Sequence, residues 1–429
     1  MTRQAGHVAR LAAPIIALLL LVTLAGVDPG PVRAAAVEIS ASNAEVHFPN
    51  DITFSLVARS DVDIVRVELL YAVGNQETLN GVLPDITPAK SVDLSLPVDL
   101  RLRYEPPGVD IAFHWRLVDA AGTITESDSQ VVLWQDSRFS WDVIQTDQVS
   151  VYAYNGDPDF NNDILRSAQR TIDELQTRFG VERSRPLRIW VYNSRADFSG
   201  AQATNSETWI AGASYPELGL ILAVLPDGDQ AEVGRVVPHE VSHQVLHQAT
   251  ENPFNSPSRW LDEGLAVYHQ KGGNETFPDM VATAEADGRL PSLRALNSAF
   301  PYDPAETSLA YAASLDIVRF VIDEFGEQEM ASLIDVYRQG VSHDEAVQRA
   351  LGVSLDELDQ RWKESILARP VGAGSVTDSP GYGSARGSHT RVAEGVASGA
   401  VMVGTAVLVA LVGILIKRVR AHLRAEPEA

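Results

Sequence analysis

Between residues 37 and 139, apolar and polar positions alternate in short runs. Segments 52–57, 64–71, 92–96, 111–117 and 130–134 each carry the period-two pattern of a strand. Asn50-Asp51, Pro106-Pro107-Gly108 and Ala121-Gly122 supply the turns between them. About a hundred residues of this kind predict an all-β domain, an immunoglobulin- or fibronectin-like sandwich spanning 37–139. His114 and Trp115 fall in mid-strand as packing residues, so this domain shows no chemistry and reads as a spacer or a wall. Residues 136–141 read as a short hinge.

Over 140–369 the period changes. Strands are expected at 149–154, 187–192, 209–213 and 218–224, with an amphipathic helix at 159–179 that stops at Gly180. Helical spacing then dominates, at 233–248, 260–270, 308–325, 327–338, 344–351 and 355–367. Ser354 is well placed to cap the last of these, ahead of Asp356 and Glu357. Strands first and helices afterwards give an α+β domain with a helical C-terminal part. No internal repeat is visible.

The two ends follow other rules. Arg3 and Arg10 lead into an apolar run, 11–27, that closes on Ala34-Ala35-Ala36, the pattern of a secretory signal over 1–36. An uncleaved N-terminal anchor is the alternative. Residues 370–391 are rich in Gly and Ser and read as a flexible stalk. Residues 395–416 carry no charge, and a helix of that length rises about 33 Å, enough to cross a bilayer. Lys417, Arg418, Arg420 and Arg424 follow, so 417–429 is expected as a cytoplasmic basic tail with the body outside the cell. Gly395 and Gly399 form a GxxxG, a weak signal for helix–helix dimerisation.

Composition adds two exclusions. A formal charge of −23 argues against a nucleic-acid partner. With no cysteine in the chain, an exported body must be held by its core alone.

The chemistry concentrates in Pro238–Tyr268. His239-Glu240-x-x-His243 places two imidazoles four residues apart on one helix face, the spacing at which both reach one metal ion. The loop 252–257 turns the chain back, and Glu263 lies near the start of the returning helix. Three protein ligands would leave a fourth position for water, as catalytic zinc sites do. His247, one turn beyond His243, drifts around the helix and reads as a packing residue, as does His269. Asp262 and Tyr268 support or pack the site.

HExxH followed by Trp260-Leu-Asp-Glu263-Gly-Leu-Ala-Val-Tyr268 resembles the gluzincin metallopeptidases, in particular the peptidase MA-like families, over about residues 149–368. The resemblance implies a zincin-like domain in which His239, His243 and Glu263 bind one Zn²⁺ and Glu240 is the general base. It also makes Tyr311 a candidate oxyanion donor, against the alternative of an aromatic that packs a core helix.

Two departures stand out. Val267 occupies the place where thermolysin-like enzymes carry an aspartate that orients a zinc histidine. No Gly-Ala-Met-Glu-Asn-like segment precedes the motif to recognise a free N-terminus, and 218–224 offers an edge strand for an extended substrate instead. The expectation is therefore a membrane-anchored, extracytoplasmic zinc peptidase acting on peptides or proteins, with endopeptidase favoured over aminopeptidase by a narrow margin. The competing reading is an inactive peptidase fold serving as a cell-surface adhesion or scaffold protein. An intramembrane protease is excluded, because the motif helix is polar and the one spanning segment carries no ligand.

Overall fold

The computed structural model describes residues 37–74, 78–101, 104–154, 156–203 and 211–369. The expected signal, stalk, spanning helix with its GxxxG, and basic tail lie outside the described residues. Among the described residues, no helix is long and apolar enough to cross a membrane.

The N-terminal part is β-rich. Its strands are β1 (Glu38–His47), β2 (Asp51–Val73), β3 (Asn80–Val82), β4 (Ala89–Asp99), β5 (Val109–Asp119), β6 (Ile124–Glu126) and β7 (Gln130–Trp134). The runs 52–57 and 64–71 expected as two strands are one. β2 continues through both, and its pairing registers shift between Arg59 and Ile64. Its first half pairs with β1 and β4 and its second half with β3 and β5, so all seven strands belong to one hydrogen-bonded sheet. An immunoglobulin-type sandwich of two separate sheets is thus not what forms. Ser60-Asp61-Val62-Asp63, between the two expected runs, is the irregular stretch of β2 between its two paired halves.

The second part opens with β8 (Asp142–Gln145) and β9 (Val149–Ala153), then α1 (Pro158–Phe179), β10 (Leu187–Tyr192) and the short α2 (Arg195–Ser199). β11 (Gly212–Tyr215) and β12 (Leu220–Val224) complete a five-stranded sheet of order β11-β12-β10-β9-β8. The helices α3 (Gln230–Ala249), α4 (Arg259–His269), α5 (Phe277–Ala286), α6 (Pro304–Phe325), α7 (Glu327–Tyr337), α8 (His343–Leu351) and α9 (Leu355–Leu367) follow. α1 starts where Asp157 accepts from the Asp159 amide and ends at Gly180, whose φ of 62° is left-handed.

The sheet has two apolar faces. Val149, Val151, Ile189, Val191 and Ile221 pack against α1 and α3 in one core, whereas Trp190, Tyr192, Leu220 and Leu222 join the β-rich part in the other. Continuous apolar stretches such as Leu220–Val224, buried at every position, are what a strand covered on both sides requires.

Residues 136–141 do not form a hinge. Asp136 is fully buried and bound by Arg138, and the Tyr192 hydroxyl donates to it at 3.2 Å. Phe139 stacks on Tyr154 at 4.0 Å between centroids, and Trp141 meets Trp190 edge-on at 4.6 Å. These aromatic contacts bury the connection and fix the two parts against each other.

Candidate active site

α3 is capped by Asp229, whose side chain accepts from the Glu232 amide. Val233, Val237, Val241 and Val245 are buried in the core, which leaves His239 and His243 on another face at the floor of a cleft. Pro238, immediately before His239, lacks the amide that would bond to the Gly234 carbonyl. That carbonyl accepts from Lys271 N at 2.9 Å instead, tying the end of α4 to the middle of α3.

α4 returns antiparallel to this helix and delivers Glu263. The Nε2 atoms of His239 and His243 lie 3.3 Å apart, and Glu263 Oε2 lies 3.6 Å from the first and 3.5 Å from the second. A tetrahedral zinc with ligands near 2.0–2.1 Å has ligand–ligand edges of about 3.3 Å. Glu263 Oε2 is buried without a hydrogen-bond partner, which a carboxylate tolerates poorly unless a cation takes it. The three residues therefore fit the ion, and they form one of two groups among the described residues able to hold a metal.

The other group is His243, His247 and Asp262. There Asp262 Oδ1 sits 2.6 Å from His243 Nδ1 and its Oδ2 3.1 Å from His247 Nε2. The 2.6 Å separation is a hydrogen-bond length, too short for two ligands on one ion. Asp262 thus orients His243 and is itself held by His247. The orienting acid missing at Val267 is supplied by the residue just before Glu263. His239 Nδ1 is buried without a hydrogen-bond partner among the described residues, and Gln270 is the polar side chain beside that ring.

Burial dominates the electrostatics. It drives His239 down to about 4, aided by His243, so this imidazole is neutral and ready to ligate. It also opposes charge on His243, but Asp262 and Glu263 override it and push that imidazole well up in the absence of metal. Glu240 is raised to about 7 by burial, with His243 pulling the other way. In the metal-free site that carboxyl therefore keeps its proton up to near neutrality. Tyr311 lines the same cleft with its ring centroid 6.4 Å from that of His239, and burial raises its hydroxyl. Phe300 packs on it edge-to-face at 5.3 Å.

The strand beside the site is β11. It forms one edge of its sheet, antiparallel to β12. The edge strand expected at 218–224 is instead an interior strand, paired with β10 on one side and β11 on the other, while Gly, Ala, Ser and Tyr make the short edge. Gln244 Nε2 donates to Ser214 Oγ at 2.9 Å and to Leu220 O at 2.8 Å, locking α3 under both strands. Gly212 faces Glu240 so closely that a Cβ there would meet the carboxylate at 2.5 Å. Sequence reasoning missed this contact and that of Arg259, whose Nη2 lies 2.6 Å from Glu263 Oε1. The Arg259-x-x-x-Glu263 spacing on a helix was its signal.

Residues 167–368 match the family described as the Peptidase MA superfamily. This segment belongs to the peptidase MA superfamily. The protein is a metallopeptidase, a hydrolase of peptide bonds, and its two-histidine, one-carboxylate donor set could hold the metal ion.

Among solved structures, the M1 zinc metallopeptidase from Deinococcus radiodurans is similar at 14% identity and TM-score 0.39, covering 78% of this chain and 96% of that one. An aminopeptidase N family protein from Idiomarina loihiensis is similar at 11% identity and TM-score 0.36, over 76% of this chain and 75% of that one. Aminopeptidase A of Legionella pneumophila, in complex with aspartic acid, is similar at 11% and 0.32, over 76% and 49%. No curated protein sequence matches.

Proposed function

We propose that this peptidase MA domain is an endopeptidase in which His239, His243 and Glu263 hold the zinc ion and Glu240 is the general base. The observation that carries the endopeptidase reading is the extent of the cleft, about 930 Å³, along α3. Arg235 and Val236 line it before the two histidines, and Thr250 and Asn252 line it beyond them. Residues 235–250 of a helix span about 22 Å. At about 3.3 Å per residue that accommodates roughly six residues of extended peptide, reaching past the zinc triad in both directions. The outer edge of β11, which pairs with no other strand among the described residues, offers backbone groups to such a chain. Gly212, Ala213, Ser214 and Tyr215 of that strand carry no carboxylate, although Glu217 and Glu251 also line the cleft.

Bound zinc supplies Lewis acidity and an acidified water at the triad. Glu240 takes the proton of the attacking water and returns it to the leaving amine. The Tyr311 hydroxyl donates to the oxygen that gains charge. Asp262 keeps His243 in the tautomer that presents Nε2 to the metal.

The basic start and apolar run at the N-terminus, with the uncharged segment 395–416 and its basic flank, support a body held outside the cell by a C-terminal anchor.

Glu240→Gln is the deciding variant. It should retain one zinc per chain and lose about 10²–10⁴-fold in cleavage rate. Peptides with acetylated N-termini should be cut as readily as free ones. Zinc-loaded wild-type protein that cleaves nothing would return the chain to the scaffold reading, and strict dependence on a free N-terminus would make it an aminopeptidase.

A further inference from the structure

Glu263 presents its two oxygens to different partners. Oε2 faces the two imidazoles and makes no hydrogen bond. Oε1 lies 2.6 Å from Nη2 of Arg259, and with the Glu263 side chain only 3% exposed, water has little access to take that place. Arg259 stands in the first turn of α4, four residues before Glu263, so one rigid helix sets the pair's geometry. Its guanidinium lies over the Phe300 ring, 5.8 Å from the centroid, and its Nη1 is 3.8 Å from Asp262 Oδ2.

A carboxylate beside a zinc ion can bind through one oxygen or both, and the second oxygen would add a fifth ligand that crowds the position a catalytic site leaves for water. We propose that Arg259 is a positioning residue that holds Glu263 to a single-oxygen contact with the metal and so keeps that position open. The inference rests on the ligand set proposed above. A planar, permanently charged fork suits the task, because it engages Oε1 and spans toward Asp262 at the same time.

Purified full-length protein and its Arg259→Met variant would be compared in two measurements, zinc release to a competing chelator and the visible absorption of the cobalt(II)-substituted site. Cobalt absorption is strong in four-coordinate sites and weak when a further oxygen joins. The expected result is a zinc dissociation constant raised about 10–100-fold, as when other groups that orient metal ligands are removed, together with a loss of cobalt band intensity. Should Arg259→Met fail to fold, Arg259→Gln, which keeps a neutral donor, is read the same way. Unchanged zinc affinity and an unchanged cobalt band in a folded variant overturn the proposal. A wild-type chain that binds no zinc would overturn the ligand set itself, so the two failures are distinguishable.

Discussion

Gly212 and Glu240 share a space that no side chain at position 212 can enter. A Cβ there would lie 2.5 Å from Oε1, 2.7 Å from Cδ and 2.8 Å from Cγ of the glutamate. The Glu240 carboxyl is thus shaped by the bare backbone of the edge strand. Gly212→Ala should displace Glu240 while leaving His239, His243 and Glu263 in place. Misplacement by about 1 Å costs on the order of 10²-fold in rate. The expected outcome is a kcat/KM lowered by one to two orders of magnitude with zinc content unchanged; wild-type activity would show that the strand yields instead.

Glu240 also makes stability depend on pH. Burial raises its carboxyl from 4.5 to about 7. A group raised on folding contributes its full share below the unfolded value and loses it as pH rises through the folded one. In the metal-free protein, Glu240 therefore costs nothing near pH 4 and about 3 kcal/mol by pH 8. Metal-free Glu240→Gln should match wild type in thermal melts at pH 4 and become the more stable protein as pH passes from 4.5 to 7. Parallel curves across that window would show that the buried carboxyl carries no such cost.

The elements with strong internal patterns were legible in sequence, and those set by tertiary neighbours were not. β10 was expected at 187–192 and is found there, since LRIWVY is apolar enough to be buried on its own account. β1 was missed because EISASNAEVH has no fully buried position. α5 was missed because only Val281 and Ala284 of its ten residues are buried, too few for a stripe. At the site, the spacing from His239 to His243 was readable from helix geometry alone. The bridge from Asp262 to His243 and His247 was not, because it depends on the angle at which the loop 250–258 returns α4 to α3. That angle is set partly by Gly234 O accepting from Lys271 N, a bond made available by Pro238.

Asp262 should matter to zinc as much as to folding. It accepts from His243 at 2.6 Å and holds His247 at 3.1 Å, and the charge and hydrogen bonds of the two histidines outweigh burial to keep it ionised. Asp262→Ala is expected to weaken zinc binding about 10–100-fold in chelator competition. His247→Ala, which removes only the outer partner, should have the smaller effect. Equal effects would mean that His247 contributes to the metal directly.

Gly264, next to Glu263, lets α4 approach α6. A Cβ there would collide with the Ser314 carbonyl and the Val318 side chain. Gly264→Ala should destabilise the fold by about 1–3 kcal/mol through overpacking, despite the better helix propensity of alanine. Urea titration of the metal-free protein checks this apart from any effect on zinc. A stabilised variant would show that the two helices have room to separate.

The β-rich part and the peptidase sheet share one core, and Gly108 is where their contact is tightest. Its φ is 103°, a region alanine rarely enters, and a Cβ there would drive into the fully buried indole of Trp190 and reach Leu220 at 2.8 Å. Arg188 strengthens the same junction, donating to Gly108 O at 3.1 Å and to Asp110 at 2.6 Å. A shared core predicts that 37–369 unfolds as a unit. Tryptophan fluorescence and far-ultraviolet circular dichroism should therefore report one urea transition. Gly108→Ala should shift it to lower urea by the equivalent of about 3 kcal/mol or less in overpacking, with positive-φ strain added. Two separate transitions, of which the substitution moves only one, would show that the β-rich part is an independent domain resting against the sheet.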